Sequence, residues 1–304
     1  MDRESRGVMD EDLRLAGATA PCGRPRVAVV GHVEWTTIAG LDQLPTAGEV
    51  IHAEPLWQGP AGGGAVAAVR LAELAGDCAF FTALGDDRAG RRSRTELERR
   101  GVRVLAASRA DPTREAVSLV DRSGERTTIT LGRRLQPAAA DPLDWDQLTS
   151  YEAVFFTAGD AALLRRARRA GVLVVTAREF GTVLDSGVRV DALVGSGCDP
   201  AESCDLALLR TLPDLVVSTE GRRGGVFTRC GQAPRRYRPA RAPGPLVDTY
   251  GVGDNFAAVL TYALAAGATT ADALALAARH GAACTARRGP FTVEPAPRRR
   301  AARV

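Results

Sequence analysis

Arg26–Val30, Cys78–Leu84, Ala153–Thr157, Val172–Val175, Ala192–Val194 and Leu215–Ser218 are short runs of almost unbroken apolar side chains. None alternates polar with apolar residues, as a strand with one wet face would. Strands of this kind need cover on both faces, and the covering segments lie between and after them. Ala65–Ala75, the Arg/Glu-rich stretch Asp87–Arg100, Ala161–Ala170, Gly253–Ala266 and Thr270–Arg287 carry helical spacing. The alternation predicts an α/β fold, a mostly parallel sheet with helices on both faces. At 304 residues the chain is long enough to bury such a core.

One stretch breaks the rhythm. In Glu115–Leu131 the arms Ala116–Val120 and Arg126–Thr130 alternate around Asp121–Gly124, a hairpin signal. A hairpin fits poorly inside a strict α/β run, so a separate small sheet is expected. Residues from Trp35 to Gln58, punctuated by Pro45 and Gly48, read as one or two exposed strands.

All 40 basic residues are arginine; the chain has no lysine. That removes a Walker-A loop, a protein-kinase strand lysine and a pyridoxal Schiff base. Any phosphate must be met by Arg, by backbone amides or by a metal. The net charge of +4 is small, and the basic run Arg298–Arg300 reads as a solvated terminus, not a nucleic-acid grip. No apolar run approaches the ~20 residues of a membrane span. Met1–Arg26 is polar and lacks a signal-peptide core. Residues 1–25 are therefore expected as a disordered tail, 26–296 as one domain and 297–304 as a basic tail, in a cytoplasmic protein. The 6 cysteines form no C-x-x-C pair, and His32, His52 and His280 lie far apart, so free thiols are expected and no zinc ribbon. The first strand runs into Gly31-His-Val-Glu-Trp35, a poor pyrophosphate turn for a dinucleotide oxidoreductase.

Asp248–Leu264 joins a glycine turn to an apolar helix, with Asp254 at the junction. Helix starts present unpaired N–H groups and favour negative charge. Gly251 and Gly253 let a ligand approach the backbone closely, and Asp254 beside such an anion site suits a base facing a hydroxyl. A plain Asp N-cap accounts for the local pattern as well.

With Asp248, Thr249, Gly251, Gly253, Asp254 and Phe256 in place, the segment resembles the D-T-x-G-A-G-D-x-F signature of the ribokinase-like (PfkB) sugar kinases, Val252 standing where Ala is usual. Further landmarks follow in the family's order from about Val27 to Pro295. Gly62-Gly63-Gly64 resembles its sugar-side glycine motif, and Gly85, Asp87 and Gly90 its G-x-D-x-x-G region. Thr219–Gly224 resembles its ATP phosphate loop, and Ala282–Gly289 its closing segment beside adenine. The resemblance implies a ribokinase-like three-layer α/β/α fold with a small β lid, built from about 34–60 and 112–133. It implies an ATP- and Mg2+-dependent kinase acting on a sugar-like hydroxyl. Asp254 would be the base, and the amides of Gly251, Val252 and Gly253 an anion hole. Ser196, Thr219, Gly221, Gly224 and Gly253 would face the nucleotide. Asp248, with the Tyr250 carbonyl, would lie near a monovalent-cation site for an ion such as K+. A homodimer through the lid is also implied.

Departures from the family pattern bear on substrate and metal. The usual sugar-binding Asp of the first strand is Thr36 here, with Glu34 two residues earlier. The Asn after the glycines is missing, since Ala65–Ala68 are apolar. The N-x-x-E motif falls on Ser196-Gly-Cys-Asp199, where Asp199 is either a magnesium-organising carboxylate or a turn and N-cap before Ala201. Arg178 and Arg133 are candidates for a substrate phosphate or carboxylate, with surface roles as the alternative. Trp35 and Trp57 would stack on a ligand or pack the lid. A non-catalytic ligand-binding relative and a nucleoside kinase stand as alternatives, and the acceptor is not named by the sequence.

Overall fold

The computed structural model describes residues 23–122, 124 and 126–291. The expected tail 297–304 and nearly all of 1–25 lie outside these residues. Along the chain, β1 (Val27–Val30), β2 (Glu34–Gly40) and β3 (Glu54–Ala61) precede α1 (Gly63–Ala75), β4 (Cys78–Gly85), α2 (Arg88–Arg99) and β5 (Val102–Arg109). The hairpin strands β6 (Glu115–Val120) and β7 (Arg126–Leu131) follow. Then come β8 (Ala153–Phe156), α3 (Ala161–Ala167), β9 (Val172–Thr176), α4 (Phe180–Ser186), β10 (Ala192–Ser196) and β11 (Leu215–Thr219). Strands β12 (Gly225–Arg229) and β13 (Arg235–Tyr237) and helices α5 (Val252–Ala265) and α6 (Thr270–Cys284) end the described chain.

A 9-stranded sheet has the order β13-β12-β11-β10-β9-β8-β1-β4-β5. Its pairs from β5 to β11 are parallel, while β12 runs antiparallel to both of its neighbours. Successive side chains on a strand point to opposite faces, so Phe80 and Phe155 enter the layer of α1, α5 and α6, while Phe81 and Phe156 enter the layer of Trp145, Leu163 and Leu164. This double burial is why these strands carry no polar alternation. From β1 the chain builds toward β5 in one direction and from β8 toward β11 in the other. The carboxyl ends of β1 and β8 therefore flank a switch point, where open α/β sheets bind ligands. No helix among the described residues is long and apolar enough to cross a membrane.

The second sheet has 4 strands in the order β3-β2-β6-β7. β2 pairs antiparallel with β3 and parallel with β6, which draws the hairpin and the 34–61 segment into one unit. The expectation of exposed strands fails for β2. It lies inside this sheet, and Thr36 and Ile38 have no solvent exposure. β5, α4 and β13 were not expected. β5 is an edge strand whose Arg103, Ser108 and Arg109 interrupt the apolar run, and α4 and β13 are too short to carry a periodic signal.

The Gly85-Asp87-Gly90 motif is a clasp at the root of the small sheet. Asp87 caps α2 by accepting from Gly90 N at 2.6 Å and also accepts from Thr113 N at 2.6 Å, two residues before β6. Gly85 N donates to Thr113 Oγ1 at 3.0 Å, and a Cβ on Gly90 would come within 2.3 Å of Gly85 O. Asp87→Ala removes a cap and leaves Thr113 N without its acceptor, so it should cost about 1–3 kcal/mol in equilibrium urea unfolding. Phe80→Ala, which empties a fully buried site, should cost about 3–5 kcal/mol in the same measurement.

Candidate active site

The start of α5 faces the switch point. Gly251, its N-cap, has φ 75°, and a Cβ there would fall 2.6 Å from Pro290 Cβ, so both backbone and space require glycine. The first-turn amides lack helical acceptors, and Gly253 is exposed with open space beside it. The turn is tied down from below. Buried Asp248 accepts from Tyr250 N at 2.8 Å and from Gly289 N at 2.9 Å. The closing segment returns the contact, with Thr285 O accepting from Val247 N at 2.8 Å. Asn255 donates to Gly251 O at 2.8 Å and to Pro290 O at 3.0 Å.

Asp254 lies in the first turn of α5, against the glycine motif: a Cβ on Gly63 would sit 3.0 Å from its Oδ1. Asp254 is half-buried. Burial pushes its pKa up to about 6, Glu202 and Glu34 add to the rise, and Arg126 and Arg178 oppose it.

Gly62 and Gly63 also bring the loop after β1 to this point. A Cβ on Gly62 would meet the His32 ring at 3.0 Å and Glu34 Cγ at 3.2 Å. Gly64 passes against the His32 backbone, where a Cβ would meet the carbonyl at 2.7 Å. Glu34 is buried, with Arg114 Nη1 at 3.2 Å and His32 Nε2 at 3.8 Å. Burial raises its pKa, and Arg114 counters most strongly. Burial, then Arg134 and Arg114, hold His32 down to about 3, so the ring is neutral at ordinary pH. His32 Nδ1 and Arg114 Nε are buried without a hydrogen-bond partner, which leaves polar capacity beside the cleft. Thr36 does not face open solvent; its Oγ1 lies 3.3 Å from the Tyr250 hydroxyl. The Arg126 guanidinium, carried by β7, lies 5.1 Å from the Tyr250 ring centre.

The other flank is formed by neighbouring strand ends. Ser196 and Thr219 are register partners on β10 and β11, and Gly197 N donates to Thr219 O at 2.8 Å. The turn that follows needs glycine at 224, where φ is 80° and a Cβ would lie 2.3 Å from Tyr237 O; Gly221 is also left-handed, at φ 55°. Asp199 accepts from Ala201 N at 2.9 Å as the cap of a short turn, and its other oxygen pairs with Arg178. Glu202 accepts from Ser196 N at 2.7 Å and pairs with Arg178 Nε at 2.9 Å. Arg178 thus sits between two carboxylates. A cavity of about 490 Å³ opens here, lined by Ala177, Ser196, Asp199, Glu202 and Ser218 but not by Asp254. Among the described residues no group of three or more His, Cys, Asp or Glu could hold a metal ion.

Arg133 lies 3.9 Å from Asp111, both well exposed. Trp35 packs under the Arg92 guanidinium at 4.1 Å, and Trp57 meets Phe291 edge-on at 5.7 Å. Both tryptophans are therefore engaged by protein. Residues that sequence reasoning missed are His32, Arg114, Glu202, Asn255 and Arg70. Glu202 follows Ser196 by six positions, outside the expected motif spacing, and only the short turn folds it back. Arg70, which with Glu73 is one of two charged residues in a helix otherwise built from apolar and glycine residues, was the visible signal: it is buried and donates to Asn255 Oδ1 at 2.7 Å.

Known proteins agree with this layout. A family model described as pfkB family carbohydrate kinase matches residues 24–187 and 190–297. A fructokinase of Klebsiella pneumoniae is 30% identical over 279 residues, covering 79% of this chain and 90% of that protein. An ATP-dependent ribose-1-phosphate kinase of Halopiger xanaduensis is 28% identical, covering 81% and 92%. The Arabidopsis thaliana ribokinase solved with ribose and ATP shares the fold at TM-score 0.67 and 22% identity, covering 88% of this chain and 94% of its own. The α/β sheet and the small second sheet are thus those of a known kinase fold, and the chain belongs to the pfkB family of carbohydrate kinases.

Proposed function

We propose that this carbohydrate kinase transfers the γ-phosphoryl group of ATP to a hydroxyl of a small sugar or sugar-like acceptor, with Asp254 as general base. The observation that carries the reading is Asp254 itself: a carboxylate with a pKa pushed up to about 6, set over Gly63 in the first turn of α5. A base with a pKa near the working pH is ionised yet still takes a proton readily. The amides of Gly251, Val252 and Gly253 would stabilise charge on the transferring group. Its fructokinase and ribose-1-phosphate kinase relatives support a sugar acceptor and ATP as donor.

On the acceptor side, Glu34, with Gly62, Gly63 and Gly64 lying against it and His32, would order the sugar hydroxyls. Thr36 would act through its contact with Tyr250. On the nucleotide side, Ser196, Thr219, Gly221 and Gly224 form the strand ends and turn where the phosphates would lie. Arg178 would bridge the two halves from its place between Asp199 and Glu202. The bound nucleotide supplies the phosphoryl group, and magnesium supplies charge compensation. Asp199 and Glu202 have their oxygens engaged by Arg178 and backbone amides, so they would order magnesium from a distance and would not cage it. Asp248 likewise gives both oxygens to backbone amides; a monovalent cation would lie near it and the Tyr250 carbonyl. A second copy pairing with the small sheet suits β7, an edge strand exposed along its whole length with Ile129 and Leu131 half-exposed. Light scattering at the molecular mass of a monomer would remove that part.

Asp254→Asn should lower kcat by about 10²–10⁴-fold for any accepted sugar while leaving ATP binding measurable by calorimetry. A variant that phosphorylates at the wild-type rate would show that the base lies elsewhere. The base works ionised, so kcat/KM should rise about tenfold per pH unit up to about 6 and then level. A wild-type profile flat from pH 5 to 8 would contradict the assignment.

A further inference from the structure

We propose that Arg70, buried on α1, is a positioning residue for the phosphoryl-binding turn and acts through Asn255. This rests on reading the Gly251–Gly253 amides as an anion hole, but it concerns groups that touch no ligand. Arg70 is 5% exposed, in a helix whose Ala67, Ala68, Val69, Leu71 and Leu74 are buried and apolar. A guanidinium in such surroundings is costly unless its donors are met, so its partners explain its place. Its Nε donates to Asn255 Oδ1 at 2.7 Å, and its Nη1 lies 2.7 Å from Glu73 Oε2, one helical turn away.

The contact decides which way the Asn255 amide faces. A guanidinium only donates, so the oxygen of the amide must turn toward Arg70. The amide nitrogen then points the other way, to the carbonyls of Gly251 at 2.8 Å and Pro290 at 3.0 Å, which only accept. A flipped amide would set donor against donor and acceptor against acceptor. The Gly251 carbonyl belongs to the same planar peptide unit as the Val252 N–H. The Asn255 backbone N–H grips the same carbonyl at 2.9 Å, and the Val252 N–H makes only a long 3.5 Å contact to Thr249 O, so the side-chain hold adds to the helical one in setting where the Val252 amide points. The hold is needed because Gly251 is a left-handed glycine with backbone freedom no other residue has. Arg70 thus orients Asn255, Asn255 pins a peptide plane, and that plane presents one donor of the anion hole.

The test uses the full chain, ATP with magnesium, and whichever sugar of a pentose and hexose panel is phosphorylated fastest. Asn255→Ala and Arg70→Met should each lower kcat by about 10- to 100-fold with the acceptor KM little changed, as expected for a misplaced catalytic donor. Arg70→Lys, which also only donates, should recover part of the loss. The double variant should be no slower than Asn255→Ala alone, because one residue acts through the other. An unchanged kcat in folded Arg70→Met, or losses that multiply in the double variant, overturns the proposal. If Arg70→Met does not fold, Arg70→Lys and Asn255→Ala carry the comparison, and an unchanged kcat in Asn255→Ala overturns it equally. Failure here is distinct from failure of the base assignment: a fully active Asp254→Asn removes the latter, whereas a dead Asp254→Asn beside a fully active Asn255→Ala removes only this one.

Discussion

The start of α5 depends on a left-handed glycine pressed against neighbouring chain at the one place where the parallel sheet opens. Gly251 leaves no room for a side chain against Pro290, and the surrounding backbone is packed with similar economy. Gly31 closes on Thr157 across β1 and β8, where a Cβ would lie 2.1 Å from the threonine oxygen. Gly64 passes the His32 carbonyl, where a Cβ would lie at 2.7 Å. These approaches bring α1, the loop after β1 and the α5 turn into one crevice. With side chains at these positions the elements would stand apart, Asp254 would be more solvated, and its pKa would fall back toward that of an ordinary carboxylate.

Charge around that crevice is handled by arginine alone. Three guanidiniums are already engaged by carboxylates: Arg114 by Glu34, Arg134 by Glu179, and Arg178 by Asp199 and Glu202. Arg126 instead lies over the Tyr250 ring, carried there by β7. Planar guanidinium groups hold two partners in fixed directions, which a flexible ammonium does not. Arg178 uses this to join the turn after β10 to the segment after β9, and Arg70 to join α1 to α5. The result is an acidic base held close to several cations without being fully neutralised by any of them. Burial still outweighs their combined pull, since the pKa of Asp254 ends above the ordinary carboxylate value.

Much of the fold was legible because its strands are buried on both faces, and that condition writes itself into composition. The hairpin was legible because its arms alternate; in β6 one face is packed and the other partly exposed, whereas β7 is exposed along its whole length. β5 was not, since an edge strand with Arg103 and Arg109 looks like a charged linker. The candidate site divides in the same way. Gly62–Gly64 and Asp248–Phe256 stand out as local patterns, and the structure brings the glycines against Asp254. Glu202, His32, Arg114 and Asn255 carry no local pattern, because what makes them notable is a neighbour far away in the chain.

The sequence alone determined the alternation of buried strands and helices, the presence of a hairpin sheet, and a glycine turn ahead of a helix with Asp254 in its first turn. Those features arise from side-chain type and spacing within a few residues. Only the tertiary structure decided how deeply Asp254 is enclosed, that Arg178 rests between Asp199 and Glu202, and that Arg70 reaches Asn255. Desolvation and charge pairing are set by distances between segments from 21 to 185 residues apart, and such distances exist only once the sheet has closed around its switch point.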